Sequence, residues 1–283
     1  MKAYVEAVQL LPPEYRDEFL KYGGESAEEI RLRSGRKAGV VRCGAETELN
    51  TPAVGDAALL YVIEKATGAS VHSAADTLKN GFISRHGLRI GVCGQAVMKD
   101  GEFAGYRSYS SVNIRIPREC KGIGGDVPDR LRESGYDSTL IVSPPGGGKT
   151  TLLRELIRHA ADEGKRVGVV DERNELSADG VFELGRCADV ISMAPRRNGA
   201  MILLRGMNPQ IIAMDEISSE EDVLLTTELC GFGVRLLATA HAESVQDMRR
   251  RPSYRRLLDS GVFMQAVVIE LNGERKYRFE KLI

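Results

Sequence analysis

The chain contains no tryptophan, and aromatic residues make up only 6% of its 283 positions. Proteins that bind single-stranded nucleic acid depend on aromatic side chains that stack on the bases. The formal net charge is −1, so no strong overall field draws the chain to nucleic acid or to an anionic membrane. Both features disfavour a nucleic-acid partner.

Long uncharged runs are also missing, since none approaches the roughly 18 residues that a membrane-spanning helix needs. The first residues reach Glu6 too early for the apolar core of a signal peptide, so we expect none. No C-x-x-C pair occurs among the five cysteines, which are Cys43, Cys93, Cys120, Cys187 and Cys230. This spacing favours free thiols in a reducing cytosol over disulfides or a zinc site.

The composition is that of a globular protein, with 42% hydrophobic and 28% charged residues. A chain of this length forms one large domain or two ordinary ones. The patterns of the first part predict helices over 1–24, Asp56–Ala66 and Val71–Leu78, a hairpin around Ser34-Gly35, and short strands from Phe82 onward. We therefore predict a small α+β domain over residues 1–117, followed by a glycine-containing linker over 118–137.

From residue 138 onward, strand-like and helical segments alternate, which indicates a mostly parallel sheet with helices on both faces. The strand-like runs are Thr139–Val142, Arg166–Val170, Val190–Met193, Gln210–Met214 and Arg235–Thr239. The helical runs are Thr150–Ala161, part of 178–186, Asn198–Met207 and Ser219–Leu229. An Asn272-Gly273 turn between two further strand-like runs predicts a closing β-hairpin. We assign residues 138–283 to one α/β domain.

One stretch of this domain, STLIVSPPGGGKTTLLRE from Ser138 to Glu155, carries a phosphate-binding signature. A short strand, a glycine loop, Lys-Thr and an amphipathic helix form a P-loop, the Walker A motif. Its backbone N–H groups and the helix N-terminus bind an anion. The predicted nucleotide-binding residues are Pro145, Gly146, Gly147, Gly148, Lys149, Thr150 and Thr151. Lys149 would reach the phosphates of ATP, and the Thr150 hydroxyl would ligate Mg²⁺.

The match departs from the usual pattern at its first position, where Ser143 stands in place of glycine. Serine fits that turn if its backbone angles are ordinary, so we interpret the departure as tolerable. The alternative is a glycine-rich turn with a chance Lys-Thr pair, which the flanking strand and helix disfavour.

Two further strand-like runs end in acidic residues. Asp215 and Glu216 follow the apolar run IIAM, and we assign Asp215 to the Mg²⁺ shell and Glu216 to the base that orients the attacking water. Solvated acids in a turn are the alternative. The run before Asp171 leads into an acidic box, in which Glu172 and Glu175 are candidates for a second water-positioning carboxylate. The alternative is that this box is the N-terminus of a helix, where acidic residues are common.

His241 ends the last parallel run, where it would sense the γ-phosphate or bridge to Glu216, unless it is structural. Basic residues form two further groups. The arginines that precede the P-loop suit phosphate binding: Arg85, Arg89, Arg107, Arg115 and Arg118. The cluster RRRPSYRR at 249–256 is a solvated face or an acidic-partner contact rather than a nucleic-acid site, because only Tyr254 could stack on a base.

The order of four motifs resembles the type II and type IV secretion ATPases, which belong to the RecA-like class. In this chain the motifs are SPPGGGKTT, VVDERNE, LRGMNPQIIAMDEI and ATAHA. Nearly end to end, including GLRIGVCGQAV and SVNIRIPRE, the chain is similar to a family of sporulation ATPases from endospore-forming bacteria. The acidic box lacks the proline of many secretion ATPases, which weakens the case for Glu172 more than that for Glu216.

This resemblance implies an ATPase with a RecA-like P-loop core that uses Mg²⁺ and ATP. It implies a cytoplasmic ring, a hexamer, that is the motor of a secretion-like channel needed for endospore formation. Membrane-embedded channel subunits on the mother-cell side would then attach it to the membrane. An arginine acting on the neighbouring subunit's nucleotide is also implied, with Arg107, Arg115 and Arg118 as the candidates.

Two other functions agree with parts of the pattern. One is a RecA-like protein that binds nucleic acid and uses ATP as a switch. Its DNA binding would depend on salt, and DNA would stimulate its ATPase activity. A small-molecule kinase would also need a P-loop, but Glu216 beside Asp215 favours hydrolysis, because a glutamate there orients water.

Overall fold

The computed structural model describes residues 2–24, 26–68, 82–99, 101–117, 120–272 and 274–283. The predicted helix Val71–Leu78 lies outside these residues, as do Arg118 and Gly273. Two compact units divide the chain, one formed by residues 1–118 with 178–181 and the other by 119–177 with 182–283.

The first unit is a six-stranded antiparallel sheet with helices, in the strand order β3-β2-β1-β6-β5-β4. Its elements are α1 (Lys2–Gln9), α2 (Pro13–Tyr22), β1 (Ala27–Arg33), β2 (Lys37–Arg42), β3 (Ala45–Ala53), α3 (Asp56–Thr67), β4 (Phe82–Arg85), β5 (Leu88–Lys99) and β6 (Glu102–Arg115). Phe19, Leu59 and Ile114 lie fully buried in its core. The predicted hairpin at Ser34-Gly35 is confirmed as β1–β2. Strand β3 was not predicted, because its mostly exposed, polar residues show no apolar alternation.

The second unit alternates strands and helices as predicted. Its elements are α4 (Val127–Glu133), β7 (Thr139–Ser143), α5 (Lys149–Asp162), β8 (Val167–Asp171), β9 (Ala188–Ser192), α6 (Arg196–Met207), β10 (Ile211–Met214), α7 (Glu220–Gly231), β11 (Arg235–His241), α8 (Val245–Arg250), α9 (Pro252–Asp259), β12 (Gln265–Asn272) and β13 (Glu274–Lys281). None of the helices in the described residues is long and apolar enough to cross a membrane.

Seven strands form the sheet of this unit, in the order β13-β12-β7-β11-β10-β8-β9. All neighbouring pairs are parallel except β12–β13, which forms the predicted closing hairpin. Strand β7 is buried along its whole length, since Leu140 and Val142 pack into the core on one face and Ile141 into the core on the other. The carboxyl ends of β7, β8, β10 and β11 therefore meet at one edge of the sheet.

Two segments differ from the sequence-based expectations. The predicted helix within 178–186 is wrong, because these residues form turns in which Ala178 and Asp179 adopt left-handed backbone angles (φ 47° and 54°). The short helix of the predicted linker is not a free connector, since Val127 and Leu131 are buried in the core of the second unit. The sequence did not predict this packing, because the segment has few apolar residues and several glycines.

Candidate active site at the carboxyl edge of the parallel sheet

The loop between β7 and α5, which the sequence predicts to bind phosphate, turns at two glycines. Gly146 and Gly148 have φ angles of 75° and 90°, which side-chain-bearing residues rarely adopt. Gly148 is the N-cap residue of α5, so the helix begins at Lys149, one residue before the predicted start. The turn directs the positive end of the α5 dipole toward the loop.

Ser143 is fully buried at the end of β7, in the place of the motif's first glycine. A Cβ built on Gly147 would lie 2.1 Å from the Ser143 Oγ and 2.8 Å from its Cβ. The Ser143 hydroxyl donates a hydrogen bond to the Pro144 carbonyl at 3.0 Å. The loop therefore accommodates the serine because residue 147 has no side chain.

Lys149 is buried, and its ammonium group lies against its own loop. It donates hydrogen bonds to the carbonyls of Ser143 (2.9 Å) and Pro144 (3.0 Å), and its Nζ lies 2.9 Å from the His241 Nδ1. Burial lowers the pKa of Lys149, while the carboxylates of Asp215 and Glu216 oppose that shift. A partly desolvated ammonium group interacts strongly with an incoming anion, because little water screens its charge.

Asp215 follows β10 and contacts two hydroxyls from neighbouring elements. The Thr150 Oγ1 donates to the Asp215 Oδ2 at 2.7 Å, and the Thr239 Oγ1 donates to the other carboxylate oxygen. A carboxylate beside a hydroxyl at a P-loop fits Mg²⁺, which takes few protein ligands when it is bound with phosphates. Among the described residues there is no group of three or more acids, histidines or cysteines that could hold a metal ion.

Glu216 has a left-handed backbone conformation with φ 57°, which is uncommon for a residue with a side chain. Its backbone N–H donates to the Thr239 Oγ1 at 2.7 Å, which holds this conformation in place. Its carboxylate contacts the Arg173 guanidinium on one oxygen and lies 3.2 Å from the His241 Nε2 on the other. Strained backbone at a carboxylate is a feature of functional sites.

His241 lies between the lysine and the glutamate at the end of β11. Because an ammonium group only donates, its contact with Lys149 assigns the acceptor role to the His241 Nδ1. The His241 Nε2 then carries the proton that faces Glu216. The backbone N–H of His241 donates to the Tyr254 hydroxyl at 3.3 Å, and burial raises the pKa of this tyrosine.

The acidic box after β8 is organised by Asp171, whose side chain is buried. Its carboxylate accepts hydrogen bonds from the N–H groups of Glu175, Leu176 and Ser177 and from the Ser177 hydroxyl. These four donors make Asp171 the structural centre of this loop. Glu175 belongs to the loop that folds around the Asp171 carboxylate, to which it donates its backbone N–H.

Glu172 forms an ion pair with Arg196 at 3.2 Å, and the same guanidinium contacts Asp222 at 2.5 Å. Burial by itself would raise the pKa of Asp222, but hydrogen bonds from the N–H groups of Ser218 and Ser219 and the charge of Arg196 lower it overall. Glu172 and Glu216 line one small cavity, yet they contact different arginines.

The remaining predicted site residues, the arginines, belong to the first unit. Arg107 and Arg115 lie on β6, and Arg115 lies 3.6 Å from a Glu29 carboxylate oxygen. Arg118 lies outside the described residues. Sequence analysis missed three residues that meet at the edge: Arg173, Arg196 and Thr239. Thr239 stands in the ATAHA motif and Arg173 in the VVDERNE motif, which were the available signals, whereas no local pattern marks Arg196.

Comparisons with known proteins agree with this architecture. The profile of the family described as "Sporulation stage III, protein AA" matches residues 15–277. The chain is 32% identical over 246 residues to the stage III sporulation protein AA of Bacillus subtilis (strain 168), which covers 83% of this chain and 80% of that protein.

Two solved structures share the fold at low sequence identity. The pilus retraction motor PilT with bound ADP has a TM-score of 0.66 and 15% identity, covering 94% of this chain and 82% of that chain. The Legionella pneumophila ATPase DotB has a TM-score of 0.57 and 18% identity, covering 90% and 76% of the two chains. The predicted RecA-like fold is confirmed.

Proposed function

The chain belongs to the sporulation stage III protein AA family, and we propose that it is a Mg²⁺-dependent ATP hydrolase that powers a secretion-like channel during endospore formation. One observation carries this proposal: Lys149, the Thr150–Asp215 pair and Glu216 meet at a single sheet edge. The similar structures support it, because PilT is a retraction motor with bound ADP and DotB is an ATPase.

The P-loop would bind the phosphates of ATP through its backbone N–H groups and the N-terminus of α5. Lys149 now donates to two loop carbonyls, and its ammonium group would exchange such contacts for phosphate oxygens. The Thr150 hydroxyl and the Asp215 carboxylate would hold Mg²⁺. When bound, this ion neutralises charge on the β- and γ-phosphates.

Glu216 is the better of the two candidate bases. Its carboxylate faces the His241 Nε2, which in turn is linked to Lys149, so the base and the phosphate-binding cation are connected through one imidazole. Each glutamate contacts an arginine, but Arg196, the partner of Glu172, also holds Asp222. We therefore assign water activation to Glu216 and a supporting role to Glu172, with His241 orienting the Glu216 carboxylate.

The cellular part of the proposal rests on the family. The protein would act as a ring on the cytoplasmic, mother-cell side of the membrane, attached through membrane-embedded channel subunits. Arg107, Arg115 and Arg118 of the first unit are the candidates for a cation that acts across a subunit contact. Nucleic acid has no part in this proposal.

The test compares Glu216→Gln, Glu172→Gln and Lys149→Ala with the wild-type protein. We expect Glu216→Gln to bind ATP but to hydrolyse it at least ~100-fold more slowly, the scale of losing a general base. Lys149→Ala should stay folded and lose nucleotide-induced thermal stabilisation, which for a bound ligand at about 100 times its Kd corresponds to roughly 2.7 kcal/mol.

Phosphate release with and without Mg²⁺, and thermal unfolding with ADP, are the measurements. Wild-type turnover by Lys149→Ala would exclude the P-loop as the site. An inactive Glu172→Gln beside an active Glu216→Gln would assign the base to Glu172. Turnover that depends on added DNA would favour a nucleic-acid-dependent ATPase instead.

A further inference from the structure

The C-terminal hairpin reaches the P-loop edge of the second unit. Strand β12 runs parallel to β7, with Gln265 opposite Thr139 and Val268 opposite Val142. Because β7 ends at Ser143, the later residues of β12 extend past the level at which the P-loop begins. Strand β13 then returns antiparallel, with Arg275 opposite Leu271. The start of β13, at Arg275, therefore lies beside the loop.

One face of β13 points to the side of the sheet that α5 covers. Side chains alternate along a strand, so Arg275, Tyr277 and Phe279 share a face. Tyr277 and Phe279 pack against the core cluster that contains Leu152 and Leu156 of α5. Arg278 lies on the opposite face, where it pairs with Glu270 and Glu280.

The guanidinium of Arg275 lies against Gly148, the last residue before Lys149. A Cβ built on Gly148 would lie 3.1 Å from both the Cζ and the Nη2 of Arg275, and 3.4 Å from its Nη1. The φ of 90° favours glycine at residue 148, and a Cβ there would also displace the Arg275 guanidinium by a few tenths of an ångström. The arginine side chain is exposed to solvent at the mouth of the loop.

We propose that Arg275 is a phosphate-contacting residue of the nucleotide site, supplied by the same chain through its C-terminal hairpin. The inference rests on the proposed nucleotide binding at the P-loop. A guanidinium presents several N–H donors in a plane that matches phosphate oxygens, and it stays charged at any physiological pH. It adds a second cation beside Lys149, whose ammonium group lies deeper, among loop carbonyls.

The experiment measures ADP affinity with Mg²⁺ by titration calorimetry for the wild-type protein, Arg275→Gln and Arg275→Lys. Loss of a charge-assisted hydrogen bond to phosphate should weaken ADP binding about tenfold in Arg275→Gln. Arg275→Lys keeps the charge and should retain affinity between those of the wild type and Arg275→Gln. Arg278→Gln is the matched control, because it removes the same charge from the other face of the same hairpin.

Arg278→Gln should bind ADP like the wild-type protein. Equal weakening by Arg275→Gln and Arg278→Gln would show a general charge effect and overturn the inference, as would wild-type affinity in Arg275→Gln. If Arg275→Lys is as weak as Arg275→Gln while Arg278→Gln binds like the wild type, the planar guanidinium rather than its charge alone makes the contact, which supports the inference. A wild-type protein that binds no ADP would instead remove the proposed function itself.

Discussion

At the scale of single residues, one buried hydroxyl organises both acids of the candidate site. The Thr239 Oγ1 accepts the N–H of Glu216 at 2.7 Å and donates to the carboxylate of Asp215. It thereby ties the end of β10 to β11 and stabilises the left-handed backbone of Glu216. Both of these hydrogen bonds go to the acids, so the role of Thr239 is to position Asp215 and Glu216.

Replacing Thr239 with valine keeps the shape of the side chain and removes the hydroxyl. We expect the free energy of unfolding to fall by about 1–3 kcal/mol, because a buried N–H loses its acceptor. ATP turnover should fall by roughly 10- to 100-fold through misplacement of Glu216, while ADP affinity stays within a few-fold of the wild type. Denaturant unfolding, turnover and ADP titration measure these effects.

Thr226→Val is the control, since Thr226 is also fully buried but donates only to the Val223 carbonyl of its own helix, α7. It should leave turnover unchanged. If Thr239→Val hydrolyses ATP at the wild-type rate, the hydroxyl has no part in positioning the acids.

At the scale of elements, the P-loop departs from its motif at Ser143, and Gly147 makes room for that residue. The side chain of Ser143 occupies the space that a Cβ at position 147 would need. The residues at positions 143 and 147 are therefore coupled, although the motif leaves position 147 unspecified. The coupling explains why serine is tolerated at the first position without a change of loop length.

This coupling predicts a recovery in a double variant. Gly147→Ala should lower the free energy of unfolding by about 1–3 kcal/mol, because overpacking a tight loop forces a backbone shift. Adding Ser143→Gly should restore most of that loss, with a remainder from the Pro144 carbonyl, 3.1 Å from the built Cβ. Denaturant unfolding of the four proteins forms a double-mutant cycle. Additive effects would contradict the coupling.

The arginine-rich segment near the C-terminus forms two short helices, α8 and α9, which sequence analysis did not predict. Met248 of α8 and Tyr254 and Leu257 of α9 are buried, and the arginines of both helices are exposed. Tyr254, the aromatic residue considered for base stacking, is buried, and its hydroxyl accepts the N–H of His241. It is therefore not available to a nucleic-acid base, and its hydroxyl helps to hold the end of β11.

At the scale of the whole molecule, the proposed ring predicts that hydrolysis needs two subunits. A P-loop site gains about 10³–10⁵ in rate from an arginine that stabilises the developing charge, and such arginines are often supplied by another molecule. The candidates Arg107 and Arg115 lie on a strand of the first unit. A head-to-tail contact between identical chains closes into a cyclic assembly.

Mixing two inactive variants tests this arrangement. Glu216→Gln keeps its arginines and Arg115→Ala keeps its base, so each alone should be inactive and a mixture should recover part of the activity. Specific activity should also rise with protein concentration. Arg33→Ala is the control, because Arg33 lies on the same sheet but pairs with Glu46. A concentration-independent rate from a monomeric protein would contradict the ring.

Local patterns in the sequence by themselves determined the P-loop motif and the type of sheet. The strand, glycine loop and Lys149 predicted the P-loop, and the alternation after residue 138 predicted a parallel sheet with its site at the carboxyl edge. These features are readable because they depend on residues close together in the chain, through glycine conformations and the periods of strand and helix.

Only the tertiary structure decided which distant residues meet. The strand order β12-β7-β11-β10-β8 brings Thr239 to Asp215 and places Arg275 against Gly148. It also gives Glu216 and Glu172 different arginine partners, Arg173 and Arg196, which separates two acids that look alike in sequence. Such contacts follow from strand order and register across the sheet, which no local period encodes, because each strand shows only which of its own faces is buried.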